Sequence, residues 1–532
     1  MSFRKTRVLL FLSLVLTGHR IAALPFGPQS NIPSPCEGLK NLPLPDTTIF
    51  SSQIVPAGGF SAPAGAGGMR QGPGTPSASD LPSFCRVTGR VSPEVGFEVW
   101  LPPAAGDRPW NGKFNGVGNG GLAGFINYGA MIQALGRGYA TASTDTGHTS
   151  KPGNEAWALG HPERLVDFAS RGVHVTTVAA KALIEAYYGR EPKYSYFTGC
   201  SGGGGQSLSE AQRFPDDYIG IVAGAPANFP TRMWPGELYA AWVTHRSPAH
   251  PIPNEKLPAI TRAALEACDS MDGVRDGVLD DPRLCRFDPA RIQCRDVDGP
   301  DCLTAAQVDS VRKIYAGLAH PATGELFWYG YEISSEPGWP GHIQNPFNVP
   351  LSYFKYMVLS EPDWDWKTFD FADPAKFAIL QDASRKLGPV LDSIDPDLSS
   401  FRKRGGKLIQ YHGWIDQNIS PRNSIRYYED VKKAMGGEKA TSDFYRLYLA
   451  PGMAHCGGGP GPNTIDCLSA LELWVEQGKA PERIIASHAT AGATDRTRPL
   501  CPYPQVARYK GSGSTDDAGC FDCVAPPSQS PR

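Results

Sequence analysis

The chain has 532 residues, of which 41% are hydrophobic, so it is long enough for a large core and for two structural units. Its formal net charge is only -2 at pH 7. The chain therefore lacks the strong net positive charge with which many proteins attract nucleic acid or an anionic membrane surface. Neither is therefore expected as a partner.

The N-terminus has the pattern of a secretory signal peptide, which we assign to residues 1–23. Basic residues within 4–7 precede the apolar run 8–16, and two alanines end the segment. The run is too short to anchor the chain across a membrane, and no other stretch of the sequence is long and apolar enough. We therefore expect a secreted protein, either extracellular or periplasmic.

Twelve cysteines make disulfides the default expectation for an exported chain. Structural zinc is the competing use, but a Cys-x-x-Cys pair occurs only at Cys520 and Cys523, with neither a second pair nor histidines nearby. Residues 24 to about 85 are rich in Pro, Gly and Ser. We interpret them as an extension wrapped on the body of the protein, and Cys36 and Cys85 are candidates for tying it down.

From about residue 85 the sequence alternates between predicted strands and helices. A long helix is predicted over 162–188, because its apolar residues recur at three- and four-residue spacing. The predicted strands of this first part are 97–101, 113–117, 139–144, 194–198 and 218–224.

The alternation stops near residue 226 and returns after 404. The intervening sequence is rich in aromatic residues, Pro and Cys, and it is far too long for a plain loop. We interpret 227–404 as an inserted lid domain between two parts of a catalytic domain, 24–226 and 405–532. The second part contains the predicted strands 407–411 and 444–449 and the predicted helices 421–435 and 465–476. The expected fold class is α/β, with helices on both faces of a sheet.

A serine between glycines follows one predicted strand, in the motif Gly199-Cys200-Ser201-Gly202-Gly203. This is the Gly-x-Ser-x-Gly pattern in its context of strand, sharp turn and helix. The turn lifts the hydroxyl above the sheet edge beside a helix N-terminus, so Ser201 is the predicted nucleophile. The alternative, a Gly-rich loop with an incidental serine, is disfavoured by the preceding strand and by the residues downstream.

A serine hydroxyl is a weak nucleophile and needs a base that a carboxylate orients. In α/β-hydrolases these residues follow in the order Ser, acid, His. Asp416 comes soon after the strand 407–411, and His455 lies in the loop after 444–449, so we predict them as acid and base. His412 is the main rival base. It precedes the acid and lies too close to the strand end, so a structural or pocket-wall role is expected.

Two cysteines flank the predicted catalytic residues: Cys200 precedes Ser201 and Cys456 follows His455. A disulfide between them would hold the two loops in register and preorganise the contact between serine and histidine. By the loop-entropy model so long a closure contributes about 4 to 5 kcal/mol.

An acyl-transfer site also needs two aimed N–H donors for the oxyanion. One is expected to be the amide of Gly202, directly after the nucleophile. The other is expected from Gly120 and Gly121, in the glycine-rich loop after the strand 113–117. A plain tight turn is the alternative for that loop.

Closely spaced aspartates and glycines occupy residues 268–278 of the predicted lid. The carboxylates would repel each other unless a hard cation neutralised them, and such oxygen ligands suit calcium. The twelfth-position glutamate of an EF-hand is missing, and turn formation by Asp and Gly is the alternative. The predicted ion is structural, and no organic cofactor is expected. Its predicted ligands are the side chains of Asp269, Asp272 and Asp276 and the carbonyls of Val274 and Val278.

Together these motifs resemble those of the tannase and feruloyl esterase family of secreted α/β-hydrolases. The resemblance is carried by the serine motif, the Asp416 segment, the aspartate-rich loop and Gly452-Met453-Ala454-His455-Cys456, and it extends from about residue 36 to 523. It implies an α/β-hydrolase fold with a large inserted lid domain, a Ser201–His455–Asp416 triad, the Cys200–Cys456 bridge and calcium in the lid. The other disulfides that it implies are Cys36–Cys85, Cys268–Cys285, Cys294–Cys302 and Cys501–Cys523. Cys467 and Cys520 then either form a sixth pair or stay free.

The resemblance also implies a serine esterase that hydrolyses aromatic, phenolic carboxylic esters through an acyl-enzyme. Feruloyl esterase is the leading hypothesis, and tannase or terephthalate monoester hydrolase are the alternatives. The expected partner is a small aromatic ester, free or attached to plant polysaccharide or tannin. A serine peptidase is disfavoured because no repeat of propeller-blade period occurs, and a non-catalytic phenolic binder because the triad residues are present.

Aromatic residues of the predicted lid are candidates to enclose the ring of the acid. For each of them, however, we expect packing within the lid rather than contact with the substrate. They are Trp339, Phe347, Tyr353, Phe354, Trp364 and Trp366.

Overall fold

The computed structural model describes residues 35–63, 77–106, 108–150 and 156–526. The predicted signal peptide, residues 1–23, lies outside these ranges. None of the helices in the described ranges is long and apolar enough to cross a membrane.

The described residues contain sixteen strands. In chain order they are β1 (Thr47–Val55), β2 (Phe84–Val91), β3 (Val95–Leu101), β4 (Lys113–Val117), β5 (Ala140–Thr144), β6 (Tyr194–Cys200), β7 (Gly220–Gly224), β8 (Leu318–Ala319), β9 (Leu326–Trp328), β10 (Lys407–Gly413), β11 (Tyr445–Ala450), β12 (Thr464–Ile465), β13 (Ile484–Thr490), β14 (Ala493–Leu500), β15 (Val506–Tyr509) and β16 (Phe521–Val524).

The same residues contain fourteen α-helices. They are α1 (Tyr128–Gly136), α2 (Pro162–Val166), α3 (Gly172–Tyr188), α4 (Gly202–Arg213), α5 (Pro230–His245), α6 (Leu257–Cys268), α7 (Ala305–Ala316), α8 (Pro340–Ile343), α9 (Asn348–Ser352), α10 (Pro374–Leu391), α11 (Ser399–Lys403), α12 (Pro421–Ala434), α13 (Glu438–Ser442) and α14 (Cys467–Gln477).

Nine strands form one sheet in the order β1-β2-β3-β5-β4-β6-β7-β10-β11. Pairing is antiparallel from β1 to β5 and parallel from β5 to β11. The carboxyl ends of β4, β6, β10 and β11 therefore meet at one edge of the sheet. This is the edge at which open α/β sheets place their sites.

Helices cover both faces of this sheet. Apolar residues of α3, α4 and α12 pack with one side of it, whereas those of α1 and α14 pack with the other. Strands enclosed in this way are buried on both faces, and every residue of β5 and β7 is buried. The expected α/β architecture with helices on both faces is confirmed, and the predicted strands and helices of both parts are present within a few residues of their predicted bounds.

The predicted helix over 162–188 differs in one detail, because a π-helical turn (Asp167–Arg171) separates α2 from α3. This turn leads into Gly172, which lies against the chain after β5. A Cβ on Gly172 would lie 2.9 Å from the Cα of Thr146. The wider turn thus accompanies a close approach between helix and sheet that the apolar spacing alone does not reveal.

The N-terminal segment, which was expected to be an extension wrapped on the body, contains a strand that was not predicted, β1, which forms one edge of the sheet. Its buried residues include Ile49 and Val55, whereas Phe50 and Ile54 are about half exposed. An edge strand with polar and apolar residues on both sides has a weak period-two pattern. The Cys36–Cys85 disulfide joins the turn before β1 to β2.

Residues between β7 and β10 contribute no strand to the nine-stranded sheet. They form α5 to α11 and the short β8–β9 pair, and they bury an apolar cluster of their own around α5, α6 and α7. This agrees with an insertion, while the exact lid boundaries, 227 and 404, stay a prediction.

Five short strands near the C-terminus were not predicted. β12, β13 and β14 form one small sheet, and β15 and β16 form another, tied to the end of β14 by the Cys501–Cys523 disulfide. The residues of β14 at its exposed end are mostly polar, so they carry little hydrophobic periodicity.

Candidate active site

Ser201 occupies a strained turn between β6 and α4. Its backbone has φ 63° and ψ -123°, a conformation that costs energy in a non-glycine residue. Glycines surround it because the chains approach closely: a Cβ on Gly199 would lie 2.3 Å from the carbonyl oxygen of Gly203, and one on Gly204 would lie 2.2 Å from that of Gly224. The glycine run is therefore a steric requirement of the turn.

Backbone hydrogen bonds fix this turn against the end of β7. The amide of Ser201 donates to the carbonyl of Gly224 (3.0 Å), and the amide of Ala227 donates to the carbonyl of Ser201 (2.9 Å). The first bond reaches the last residue of β7, and the second reaches the loop that follows it. The strained conformation is thus held by its surroundings on two sides.

Asp416 lies in the loop after β10 and is fully buried. Its Oδ2 lies 2.7 Å from His455 Nδ1, while its Oδ1 accepts the backbone N–H groups of Asn418 (2.8 Å) and Ile419 (2.9 Å). Burial opposes ionisation. The nearby His455 and the hydrogen bonds from His412 and His455 outweigh it and hold the pKa of Asp416 below its ordinary value.

The tautomer of His455 follows from this contact. An ionised carboxylate only accepts hydrogen bonds, so Nδ1 of His455 carries the proton that it donates to Asp416. Nε2 then keeps its lone pair in the neutral ring. This is the form that a general base needs in order to take a proton from a serine hydroxyl.

His412 is fully buried on the other side of Asp416. Its Nε2 lies 3.1 Å from Asp416 Oδ2 and 2.9 Å from the carbonyl oxygen of Ile419, and its Nδ1 lies 2.7 Å from Ser424 Oγ. Because both groups at Nε2 are acceptors, Nε2 carries a proton, and Nδ1 accepts from the serine. These contacts support Asp416 and give His412 a positioning role.

A disulfide joins the loops of Ser201 and His455. Cys200 and Cys456 are bonded with their Cα atoms 6.0 Å apart and 256 residues apart in sequence. The residue before the predicted nucleophile is thus tied to the residue after the predicted base. The structure also contains the other four disulfides that the family resemblance implies, and it leaves Cys467 and Cys520 unpaired among the described residues.

The two predicted oxyanion segments face each other beside Ser201. Gly202 is the first residue of α4, where backbone N–H groups have no intrahelical acceptor. A Cβ on Gly202 would lie 2.9 Å from the carbonyl oxygen of Gly121 and 3.4 Å from its nitrogen. A Cβ on Gly120 would meet no described atom within 4 Å, so packing does not require glycine there. The arrangement can present two backbone donors to one oxygen.

Asn119 and Gln206 hold the glycine-rich loop in place, and the sequence interpretation missed both. The amide of Asn119 donates to Gln206 Oε1 (3.0 Å), and Gln206 Nε2 donates to Asn119 Oδ1 (3.1 Å). The carbonyl of Asn119 also accepts the amide of Gly203 (2.7 Å). The sequence offers only a weak indication of this pair. Asn119 directly precedes two glycines, and Gln206 lies one turn after the start of α4.

A largely apolar cavity opens beside Ser201. It lies between the glycine-rich loop, α4, the lid helix α5 and the loop of Asp416. Of the six aromatic residues singled out in the lid, Phe347 lines this cavity. Trp339, Tyr353 and Phe354 are fully buried, and Trp364 and Trp366 pack against an apolar cluster of the lid. Packing within the lid is thus the role of most of them, as expected.

The aspartate-rich loop keeps oxygen atoms available for a hard cation. Asp272 Oδ1 accepts the amide of Val274 (2.9 Å), and Asp276 Oδ1 accepts that of Val278 (3.2 Å). Asp269 Oδ2 accepts the amide of Gly277 (3.2 Å), but its buried Oδ1 has no partner among the described residues. An orphaned buried carboxylate oxygen is a candidate ligand for calcium, although the carboxylate oxygens of Asp269, Asp272 and Asp276 do not all lie within 4.8 Å of one another.

Two arginines from β14 also reach this loop, and neither was predicted to do so. Arg498, which is 2% exposed, pairs with Asp276 and lies 3.3 Å from Asp280 Oδ1. Arg496 lies 3.6 Å from Asp276 Oδ2. Part of the negative charge is therefore balanced by the protein, and the contacts join the lid loop to the C-terminal strands.

We expect the disulfide at the site to matter for turnover as well as for stability. In the double variant Cys200→Ser/Cys456→Ser, kcat for an activated ester such as p-nitrophenyl acetate should fall tenfold or more, because the two loops lose their fixed relation. The free energy of unfolding should fall by about 4 kcal/mol. Steady-state kinetics and urea unfolding measure the two effects.

The matched control is Cys36→Ser/Cys85→Ser, which removes a bridge between the first strands. It should lower the free energy of unfolding by a comparable amount, about 4 kcal/mol, and leave kcat near the wild-type value. Both variants are assayed at a temperature where circular dichroism shows them folded. Equal losses of kcat would contradict a special role for the Cys200–Cys456 bridge.

The two histidines at Asp416 should differ sharply on substitution. His455→Ala removes the group with the free lone pair, so kcat should fall by about a thousandfold or more. His412→Gln removes one support of Asp416 but leaves its bond to His455, so about a tenfold fall is expected. The opposite ranking in pre-steady-state acylation rates would make His412 the base.

Comparisons with known proteins agree with this architecture. A family model described as tannase and feruloyl esterase matches residues 80–524. The chain is 39% identical to an uncharacterised esterase of Xanthomonas campestris pv. campestris, over 92% of this chain and 91% of that protein. It is 34% identical to the mono(2-hydroxyethyl) terephthalate hydrolase of Piscinibacter sakaiensis, over 86% of this chain and 87% of that protein.

A solved structure gives the same result for the fold. The crystal structure of feruloyl esterase B from Aspergillus oryzae matches with a TM-score of 0.83 and 29% identity, over 92% of this chain and 99% of that one. The fold is accordingly that of an α/β-hydrolase. The family model spans most of the sequence, and the relatives match over nearly their whole length. The chain therefore belongs to the tannase and feruloyl esterase family of carboxylic ester hydrolases.

Proposed function

We propose that the protein is a secreted feruloyl esterase that cleaves aromatic carboxylic esters with Ser201, His455 and Asp416. The observation that carries the proposal is the bond between His455 Nδ1 and Asp416 (2.7 Å), on a loop that a disulfide ties to the Ser201 turn. A base that is oriented by a buried carboxylate, on a loop that is covalently tied to the turn of a strained serine, is suited to acyl transfer.

In the first step Ser201 Oγ attacks the ester carbonyl carbon while His455 Nε2 takes the hydroxyl proton. Asp416 stays ionised and stabilises the imidazolium that forms. The histidine then gives this proton to the leaving alcohol, and the acyl group remains on Ser201. In the second step water attacks the acyl carbonyl while His455 takes a proton from it, and the histidine returns this proton to Ser201 Oγ as the bond to the acyl group breaks and the acid leaves.

The oxyanion of each tetrahedral intermediate would be stabilised by backbone donors at Gly202 and in the Gly120–Gly121 loop. The Asn119–Gln206 pair supports that loop, so the donors need no rearrangement when charge develops (3.0 and 3.1 Å). Preorganised donors of this kind contribute more than flexible ones, because no reorganisation is required in the transition state.

The cavity favours a flat apolar acyl group over a long flexible one. Its walls include Phe168, Trp234 and Phe347, and aromatic walls bury an aromatic ring well. Feruloyl and related hydroxycinnamoyl esters are therefore our first choice. The relationship to a terephthalate monoester hydrolase makes that ester, and gallate esters, the alternatives to be compared.

An ester panel tests this proposal directly. Methyl ferulate, methyl gallate and mono(2-hydroxyethyl) terephthalate are assayed at equal concentrations with p-nitrophenyl acetate as a generic substrate. We expect the highest kcat/KM for methyl ferulate, since the apolar cavity favours the longer planar acid. Product release is measured by liquid chromatography.

Ser201→Ala is the blank for every ester, because it removes the attacking oxygen but keeps the cavity. Its kcat should be lower by about a thousandfold or more. If wild type and this variant hydrolysed all four esters equally, the serine mechanism would be wrong. A higher kcat/KM for the gallate or terephthalate ester would instead replace the feruloyl assignment.

We also propose that the aspartate-rich loop binds a structural calcium ion, held by Asp269, Asp272, Asp276 and the carbonyls of Val274 and Val278. The orphaned oxygen of Asp269 supports this proposal, and the ion would supply only the positive charge that gathers these ligands. Being in the lid, the ion is proposed to be structural and to take no part in acyl transfer.

Calcium removal should therefore lower the thermal stability of the protein but leave kcat unchanged while the protein remains folded. EGTA is expected to lower the Tm of wild type by several degrees, and added calcium should restore it, because an ion that binds only the folded state stabilises it. Asp269→Asn should abolish this calcium-dependent shift, whereas Asp301→Asn, an exposed lid aspartate, should keep it. A wild-type Tm that is indifferent to both EGTA and calcium would exclude the site.

Secretion is proposed on two grounds. The five disulfides of the structure are typical of proteins from oxidising compartments, and the first 23 residues have the composition of a signal peptide. A plant polysaccharide or tannin that carries the ester is the corresponding partner outside the cell.

A further inference from the structure

One helix of the lid presents a carboxyl group to the cavity beside Ser201. Met233, Trp234 and Glu237 all line this cavity from α5. Residues three and four positions apart share one face of a helix, so this face meets the site with two apolar side chains and one acid. The proposed acyl-transfer steps make no use of this acid.

Glu237 is only 5% exposed, and its Oε2 has no hydrogen-bond partner among the residues that the structure describes. Burial raises the pKa of its carboxyl well above the ordinary value, and the charge of Asp416 raises it further. Both effects favour the neutral form of the carboxyl over the ionised form. A protonated carboxyl can donate one hydrogen bond and accept others.

The rest of the cavity wall has an apolar part, to which Phe347, Val349 and Leu391 belong. Its polar part includes Asn119 and Gln206, which already bond each other. An aromatic ring packs well against such a wall, but a hydroxyl on that ring must find a polar partner there or lose its hydrogen bonds to water. A neutral carboxyl complements a hydroxyl group, since both donate and accept.

Tyr331 is a nearby group of the protein itself. Its hydroxyl is also buried and has no partner within the described ranges, and its pKa is raised by burial and then by the charges of Glu237 and Asp416. A direct bond between Tyr331 and Glu237 is the competing explanation for the buried acid. In that case Glu237 would act on stability alone, which a variant of Tyr331 can test.

We propose that Glu237 is a specificity-determining residue that hydrogen-bonds a hydroxyl group on the acyl ring of the substrate. This inference rests on the esterase function proposed above and deepens it by naming how the enzyme distinguishes phenolic from unsubstituted aromatic acids. An acyl group with a ring hydroxyl supplies a hydrogen-bond partner to the buried carboxyl of Glu237. An acyl group without a ring hydroxyl leaves this carboxyl without a partner in an apolar part of the wall, and the kcat/KM of its ester is therefore lower.

The test uses matched esters that differ in one hydroxyl group. kcat and KM are measured for methyl cinnamate and for its 3-hydroxy and 4-hydroxy derivatives with wild type, Glu237→Gln and Glu237→Met. Glutamine keeps a donor and an acceptor in nearly the same volume, whereas methionine keeps the volume and removes both. Wild type should prefer at least one hydroxylated ester by about tenfold, and Glu237→Met should lose this preference through a higher KM.

Glu237→Gln should keep most of the preference, and Tyr331→Phe should leave it unchanged. Turnover of methyl cinnamate by Glu237→Met reports that this variant is folded and active. Equal losses on hydroxylated and unsubstituted esters, or no loss on either, would overturn the inference. It would also be overturned if Tyr331→Phe removed the preference in the same way.

Glu237 could instead bond a hydroxyl group in the leaving alcohol, and a second pair of esters distinguishes this alternative. 2-Hydroxyethyl cinnamate is compared with ethyl cinnamate on the same variants. A loss that follows this hydroxyl, while selectivity for the ring hydroxyl stays unchanged, would overturn the assignment to the acyl side. If wild type, like Ser201→Ala, hydrolysed none of the aromatic esters, the proposed function itself would fail, an outcome distinct from indifferent Glu237 variants.

Discussion

The bond between Cys200 and Cys456 fixes two loops that are 256 residues apart in sequence. Parallel pairing already brings the ends of β6, β10 and β11 to one edge of the sheet, but loops beyond strand ends remain free to move unless something holds them. Here a covalent link holds the serine turn to the histidine loop, and a buried carboxylate with two backbone donors holds the histidine. The remaining features of the site support these two constraints. Asn119 and Gln206 fix the glycine-rich loop, and His412 supports Asp416 from behind.

Much of the fold and of the candidate site could be predicted because its signals are local. A strand buried on both faces, such as β7, is a continuous run of apolar residues and glycine, and the turn at Ser201 needs glycines that no other residue can replace. The acid and the base were found from their positions relative to strand ends, since chain order and strand order decide where a loop emerges. The cysteines next to Ser201 and His455 are equally local features.

What could not be predicted depends on contacts between distant segments. Nothing in the residues around Arg498 indicates that it reaches Asp276 in the lid, and Gln206 resembles any other polar residue of a helix. Glu237 shows the same difficulty: on α5 it reads as an ordinary surface acid, and only the packing of the lid buries it. β1 was missed because about half of its side chains face solvent, and the C-terminal strands because their polar residues carry little hydrophobic periodicity.

The position of the lid in the chain has a consequence for biosynthesis. β7 and β10 are neighbours in the sheet, but the whole insertion separates them in sequence. During translation the edge of β7 therefore stays unpaired until the insertion has been made, and an exposed parallel edge strand favours aggregation. Long-range pairing of this kind is also slow. An export pathway that keeps the chain unfolded until its synthesis is complete would spare it this exposure.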